Sequence, residues 1–212
     1  GFATGLLAVA SMFGAVGAIW PERLPPPAIS SLAVIDEKVR FLRERPGLDP
    51  ETLPVGSSIT WRQLSGEAFA SRGRFLNGGM VKLKTHHTSA VADFLLERYR
   101  NVDELLTLVS LPDFEDCTDE PLLFDPDDAQ RYAFKGWPST YFYLRYFDVH
   151  RYVRTARTLV EKRVPLLGEL YIDDYGSGPI QIPRHGDLSL RYGEIRIDPA
   201  CIDALVTFAE NA

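Results

Sequence analysis

Leu53-Pro54-Val55-Gly56-Ser57-Ser58-Ile59-Thr60-Trp61 is a short apolar run that breaks into a Gly-Ser-Ser turn, and its reading decides the fold. A strand ending in such a turn presents a small hydroxyl at the C-terminal edge of a sheet, where open α/β folds place their ligands. Ser58 is thereby the first candidate for chemistry. The other use of the same residues is a helix N-cap, since serine is a preferred capping residue and is common in turns. Two further runs end in turn chemistry: Arg74-Phe75-Leu76-Asn77-Gly78-Gly79, and Glu104 to Phe114, which closes through Ser110-Leu111-Pro112-Asp113. Between them, Thr88 to Tyr99 predicts a helix with Thr88 as N-cap and Val91, Phe94, Leu95 and Tyr99 turned inward. Such a crossover favours parallel pairing of the strands it joins.

The order of these blocks resembles the SGNH (GDSL-type) hydrolase superfamily, specifically the branch anchored by one N-terminal helix and associated with acylation of cell-surface polymers. The resemblance spans residues 50–212 and implies an α/β fold, three-layered and flavodoxin-like, with a parallel sheet. It also implies a membrane-anchored, extracytoplasmic serine esterase or O-acyltransferase acting on acyl esters of cell-surface glycans. In it Ser58 is the nucleophile, and Asn77 and Gly79 supply oxyanion donors; no cofactor or metal is called for. The chain departs from the pattern in three places. The third block would carry an asparagine and has none, and a carboxylate at Asp113 would repel an oxyanion unless protonated. Lys82 stands where alignment from Asn77 expects a glycine. The Asp-x-x-His segment that follows the last helix in the family is missing, so the domain is expected to be C-terminally incomplete here.

The histidines are His86, His87, His150 and His185. His86 and His87 would share the sheet edge with Ser58 if the strands are parallel, which makes them candidate bases; the other reading is a solvated loop pair. These departures carry an alternative function, a non-catalytic SGNH-like accessory or structural subunit of a larger membrane complex.

Phe2 to Trp20 runs without a charge for long enough, at about 1.5 Å per residue, nearly to cross a hydrocarbon core of about 30 Å. The expected organisation is a transmembrane helix over 1–20, a Pro-rich linker over 21–29 that holds the domain off the membrane, and an SGNH-like domain over 30–212. Single-pass membrane localisation follows. Ala10, Gly14 and Ala18 recur at four-residue spacing, a face that either admits another membrane helix or reflects the ordinary composition of membrane spans.

Ser30 to Arg45 predicts a helix capped by Ser30 or Ser31, with Leu32, Ile35, Val39 and Leu42 inward. Asp116 to Asp128 reads as an acidic loop, and Pro138 to Arg163 as a long aromatic helix serving the core, a partner-facing surface or sugar stacking. Residues 168–197 alternate in the manner of an inserted β-hairpin element. Asp198 to Asn211 closes as a helix with Asp198 as cap, Pro199 first, and Ile202, Leu205, Val206 and Ala209 on one face.

The net charge of −6 comes with dispersed basic residues, which excludes a phosphate-tracking surface and leaves nucleic acid out as a partner. Cys117 and Cys201 have no metal-ligand spacing and are either two buried thiols or one disulfide.

Overall fold

The computed structural model describes residues 1–19, 26–69, 73–117, 121–148, 150, 172–178 and 196–211. In chain order the elements are α1 (Phe2–Ile19), α2 (Ala33–Glu44), β1 (Thr52–Pro54), α3 (Ser58–Gln63), α4 (Gly66–Phe69), α5 (His87–Leu96), β2 (Glu104–Leu106), a 3-10 turn (Leu111–Phe114), α6 (Pro126–Ala133), α7 (Ser139–Arg145) and α8 (Pro199–Asn211). The chain divides into two units, Gly1–Pro46 with Leu123–Leu170, and Gly47–Leu122 with Tyr171–Ala212.

In the first unit, α2 forms because Ile35, Val39, Phe41 and Leu42 fall on one face, and all four are buried. Its start differs from expectation. The N-cap is Leu32, and Ser30 instead accepts the Leu32 N–H while its own N–H is held by Asp36 Oδ1 at 2.7 Å. α2 packs on α6, where the Arg43 guanidinium lies 4.6 Å over the Tyr132 ring and donates to the Trp137 carbonyl at 2.9 Å. Burial pushes the Tyr132 phenol up to about 12. α6 begins inside the stretch expected to be a loop and runs beyond it: Asp125 caps it by accepting from Asp127 N and Asp128 N, with Pro126 in the first turn. Asp128, wholly buried, is held by Arg131 at 2.9 Å, by Arg145 at 2.8 Å and by the Tyr146 hydroxyl.

The aromatic stretch gives a shorter helix, α7, whose Phe142 and Tyr143 are core residues, and Phe142 meets the Tyr132 ring edge-on at 5.2 Å. Most of its expected continuation lies outside the described residues, as does most of the hairpin element. So do residues 21–25 of the linker, and the following Pro26 and Pro27 are buried.

The membrane assignment is corrected. Among the described residues no helix is long and apolar enough to cross a membrane, and the single-pass localisation read from Phe2 to Trp20 falls with it. α1 has 18 residues, about 27 Å of rise against a core of about 30 Å. It packs on α7, where Gly14 is buried and a Cβ there would stand 3.6 Å from Thr140 Cγ2. At Gly14 the small-residue face is therefore met by a helix of the same unit.

The three-layer, flavodoxin-like sheet is also corrected. Among the described residues the sheet has two strands, β1 and β2, each of three residues and parallel in the register Thr52↔Glu104, Leu53↔Leu105, Pro54↔Leu106. The second run contributes only an isolated parallel bridge between Phe75 and Thr52. Among the described residues, eight α-helices make up most of the regular structure. The strands stop early for local reasons. Pro54 has no N–H to donate, and the chain turns at Gly56.

Leu53, Val55, Leu76, Leu83, Val91 and Leu95 form the core of this second unit. α5 covers it, starting at His87 with His86 in the cap position, where Thr88 was the expected cap. Asp198 Oδ1 accepts the Ala200 N–H, so α8 begins as its Asp-Pro signature predicts. Its buried face does not follow the prediction. Cys201 and Phe208 point inward while Ile202 and Val206 are half exposed, because Cys201 is bonded to Cys117 and this fixes the rotation of the helix.

Candidate functional site

The Gly-Ser-Ser turn follows β1 directly. Gly56 has φ +145°, and a Cβ there would stand 2.5 Å from Thr60 Oγ1 and 2.9 Å from Thr107 Oγ1, so only glycine fits. Ser57 is the N-cap of α3: its hydroxyl accepts from Ile59 N at 3.3 Å and donates to Asp113 Oδ2 at 2.9 Å. Ser58 is the first residue of α3 and half-buried. The capping role thus falls to Ser57, and Ser58 follows it half-buried.

The other two blocks are tied to the same turn. Gly78 N donates to Pro54 O at 2.7 Å and Met80 N to Gly56 O at 2.9 Å, which lays Asn77-Gly78-Gly79 against α3. Val55 N donates to Leu106 O at 2.8 Å, and Thr60 Oγ1 bonds both the carbonyl and the N–H of Leu108. Asp113 closes the third side, since Oδ2 of this buried carboxylate also accepts Ser110 N at 2.7 Å and Ser110 Oγ at 3.0 Å.

Asn77 is fully buried and its amide is engaged by the protein itself. Nδ2 lies 3.0 Å from Thr60 O, 3.2 Å from Trp61 O, 3.1 Å from Leu64 O and 3.3 Å from Ser177 Oγ, while Oδ1 accepts Gly79 N at 2.9 Å. The two oxyanion donors named by the resemblance therefore bond to each other and to the end of α3. Lys82 adopts φ +58°, the left-handed conformation that glycine favours, at the position where the family pattern has glycine.

The histidine pair is brought near the third block. Thr85 N donates to Asp113 O at 3.1 Å, Lys84 Nζ to Pro112 O at 2.9 Å, and Lys84 N to His87 Nδ1 at 3.2 Å. His87 is buried, and its ring centroid stands 3.8 Å from that of His86. Among the described residues no hydrogen bond joins either imidazole to Ser58.

No family model, curated protein or solved structure matches this chain. The site is consequently read from its own geometry. Among the described residues no cluster of three His, Cys, Asp or Glu side chains could hold a metal ion. His150 is exposed on the first unit, and His185 lies outside the described residues.

Two parts of the site were missed in the sequence. Asp113, read as a threat to an oxyanion, is an anchor for Ser57, and the signal was present: Ser110 and Asp113 form a capping box around the 3-10 turn. The second is Ser177, whose hydroxyl meets Asn77 Nδ2 and donates to Leu64 O at 2.8 Å across a separation in sequence that no local pattern reveals.

Proposed function

We propose that the second unit is an SGNH-like serine esterase or O-acyltransferase acting on acyl esters of glycans, with Ser58 as its nucleophile. The observation that carries this reading is the convergence of the three blocks on one turn: Met80 N on Gly56 O, and Asp113 Oδ2 on the Ser57 hydroxyl, with Ser58 beside both on the half-exposed rim. The Ser58 oxygen attacks the ester carbonyl carbon, the alcohol leaves with a proton, and water or a sugar hydroxyl then takes the acyl group from the serine. His86 and His87 are the candidate bases on the described chain. The left-handed backbone at Lys82 supports the same reading, because it reproduces the glycine-type conformation of the second block without the glycine.

The test is turnover of p-nitrophenyl acetate and of an O-acetylated polysaccharide by the protein and by Ser58→Ala. Loss of turnover in the variant, with the fold intact by circular dichroism, is the expected result. A rate unchanged by the substitution would remove Ser58 from the chemistry.

A second reading has its own support. The Asn77 amide and the Gly79 N–H are engaged within the protein, which suits a non-catalytic accessory subunit. It expects no turnover and no covalent capture of Ser58 by a fluorophosphonate probe. Labelling of Ser58 would exclude it.

A further inference from the structure

We infer that Asp113 is a positioning residue for Ser58, acting through the hydroxyl of Ser57; the inference rests on the serine reading proposed above. The Ser57 hydroxyl has one proton and two lone pairs. With the proton directed to Asp113 Oδ2 at 2.9 Å, a lone pair faces the Ile59 N–H at 3.3 Å, and the first turn of α3 is fixed with Ser58 between these two residues.

Asp113 is itself immobilised from three directions. Its Oδ2 accepts both donors of Ser110, its N–H donates to Ser110 O at 2.9 Å, and its carbonyl accepts Thr85 N at 3.1 Å. Four residues on, Cys117 is bonded to Cys201 of α8, and Cys117 N donates to Asp198 Oδ2 at 3.0 Å. The carboxylate thus transmits the position of a braced segment to a hydroxyl that has no other fixed acceptor among the bonds described. A charge-assisted bond suits this task because it is shorter and stronger than one between neutral groups.

The experiment compares Asp113→Ala, Asp113→Asn and Ser57→Ala with the unaltered protein in p-nitrophenyl acetate kinetics and in amide hydrogen exchange at Ile59. Misplacement of a reacting group by about 1 Å costs up to about 100-fold in rate, so Asp113→Ala is expected to lower kcat about 10- to 100-fold with KM little changed. Its Ile59 amide is expected to exchange at least about tenfold faster while amides of α5 stay as they were. Asp113→Asn, whose Oδ1 accepts the same hydroxyl, is expected to recover most of both. Ser57→Ala combined with Asp113→Ala is expected to cost less in kcat than the sum of the two, since the bond they share is lost once.

Unchanged kcat and unchanged Ile59 exchange in Asp113→Ala would overturn the inference. So would equal losses in the alanine and asparagine variants. Full activity of Ser58→Ala sinks the serine reading, whereas loss in Ser58→Ala without loss in Asp113→Ala sinks only the positioning role. Should Asp113→Ala fail to fold, Ser57→Ala and Asp113→Asn decide between these outcomes.

Discussion

Replacing Asn77 by aspartate changes one NH2 group to an oxygen and leaves the volume almost untouched. Oδ1 would keep the Gly79 N–H, but the second oxygen would face the carbonyls of Thr60, Trp61 and Leu64 with no proton to offer. Trp61 O retains the Gly178 N–H at 3.0 Å and Leu64 O retains Ser177 Oγ at 2.8 Å, so the carbonyls are not stranded outright. The cost lies in two lost donors and in a buried charge among dipoles of the wrong sign, together at least about 3 kcal/mol. A protonated carboxyl recovers one of the donors, which raises the pKa of the folded variant above that of the unfolded chain. The native state then binds more protons, so the deficit is smallest below about pH 4 and grows as pH rises through the folded value.

Asn77→Ala serves as the control. It strands the Gly79 N–H and loses about 3 kcal/mol without this pH dependence. Urea unfolding at pH 5 and pH 8, followed by tryptophan fluorescence because Trp61 is buried beside the network, measures both variants. A loss under about 1 kcal/mol in both, or an aspartate deficit equal at the two pH values, would refute the structural role. An oxyanion donor would instead lower turnover in Asn77→Ala at undiminished stability.

Reduction of the Cys117–Cys201 bridge, or Cys117→Ser with Cys201→Ser, releases a loop of 84 residues, worth about 4.5 kcal/mol in the chain-entropy treatment. The melting temperature in a calorimeter should fall by about 10 °C. Asp128→Ala leaves Arg131, Arg145 and the Tyr146 hydroxyl without their shared acceptor and should cost about 2–3 kcal/mol in urea unfolding. That is below the figure for a wholly buried pair because both guanidiniums remain partly exposed. Glu37 is raised by burial, with Arg40 opposing the shift, so its folded carboxyl binds protons more tightly than the unfolded one and stability falls as pH rises through its titration. Glu37→Gln should flatten that slope in unfolding measured above about pH 4.5, where the unaltered protein keeps it.

What was legible in the sequence was its punctuation. β1 and α8 lie where apolar runs meet Gly56 and Asp198-Pro199, since these act within one turn of the chain. The same Asp-Pro rule applied at Asp125-Pro126 would have found α6, but the density of acidic residues there read as loop. The width of the sheet was not legible. Nor were the partners of the Asn77 amide, since Thr60, Trp61, Leu64 and Ser177 come together only in the fold. Nor was the rotation of α8, where a covalent bond overrides the apolar stripe of Ile202 and Val206. In the site, Ser57 and Ser58 could be named from their turn, whereas the choice of which one caps required Asp113 to be in place.

The cystine also governs how the molecule responds to cutting. Any single hydrolysed peptide bond between Cys117 and Cys201 would leave the C-terminal fragment, α8 included, covalently joined to the rest. Such a nicked protein would migrate as one species on a denaturing gel and separate into two only when a thiol is added. An intact band without reductant therefore says nothing about the backbone between the two cysteines.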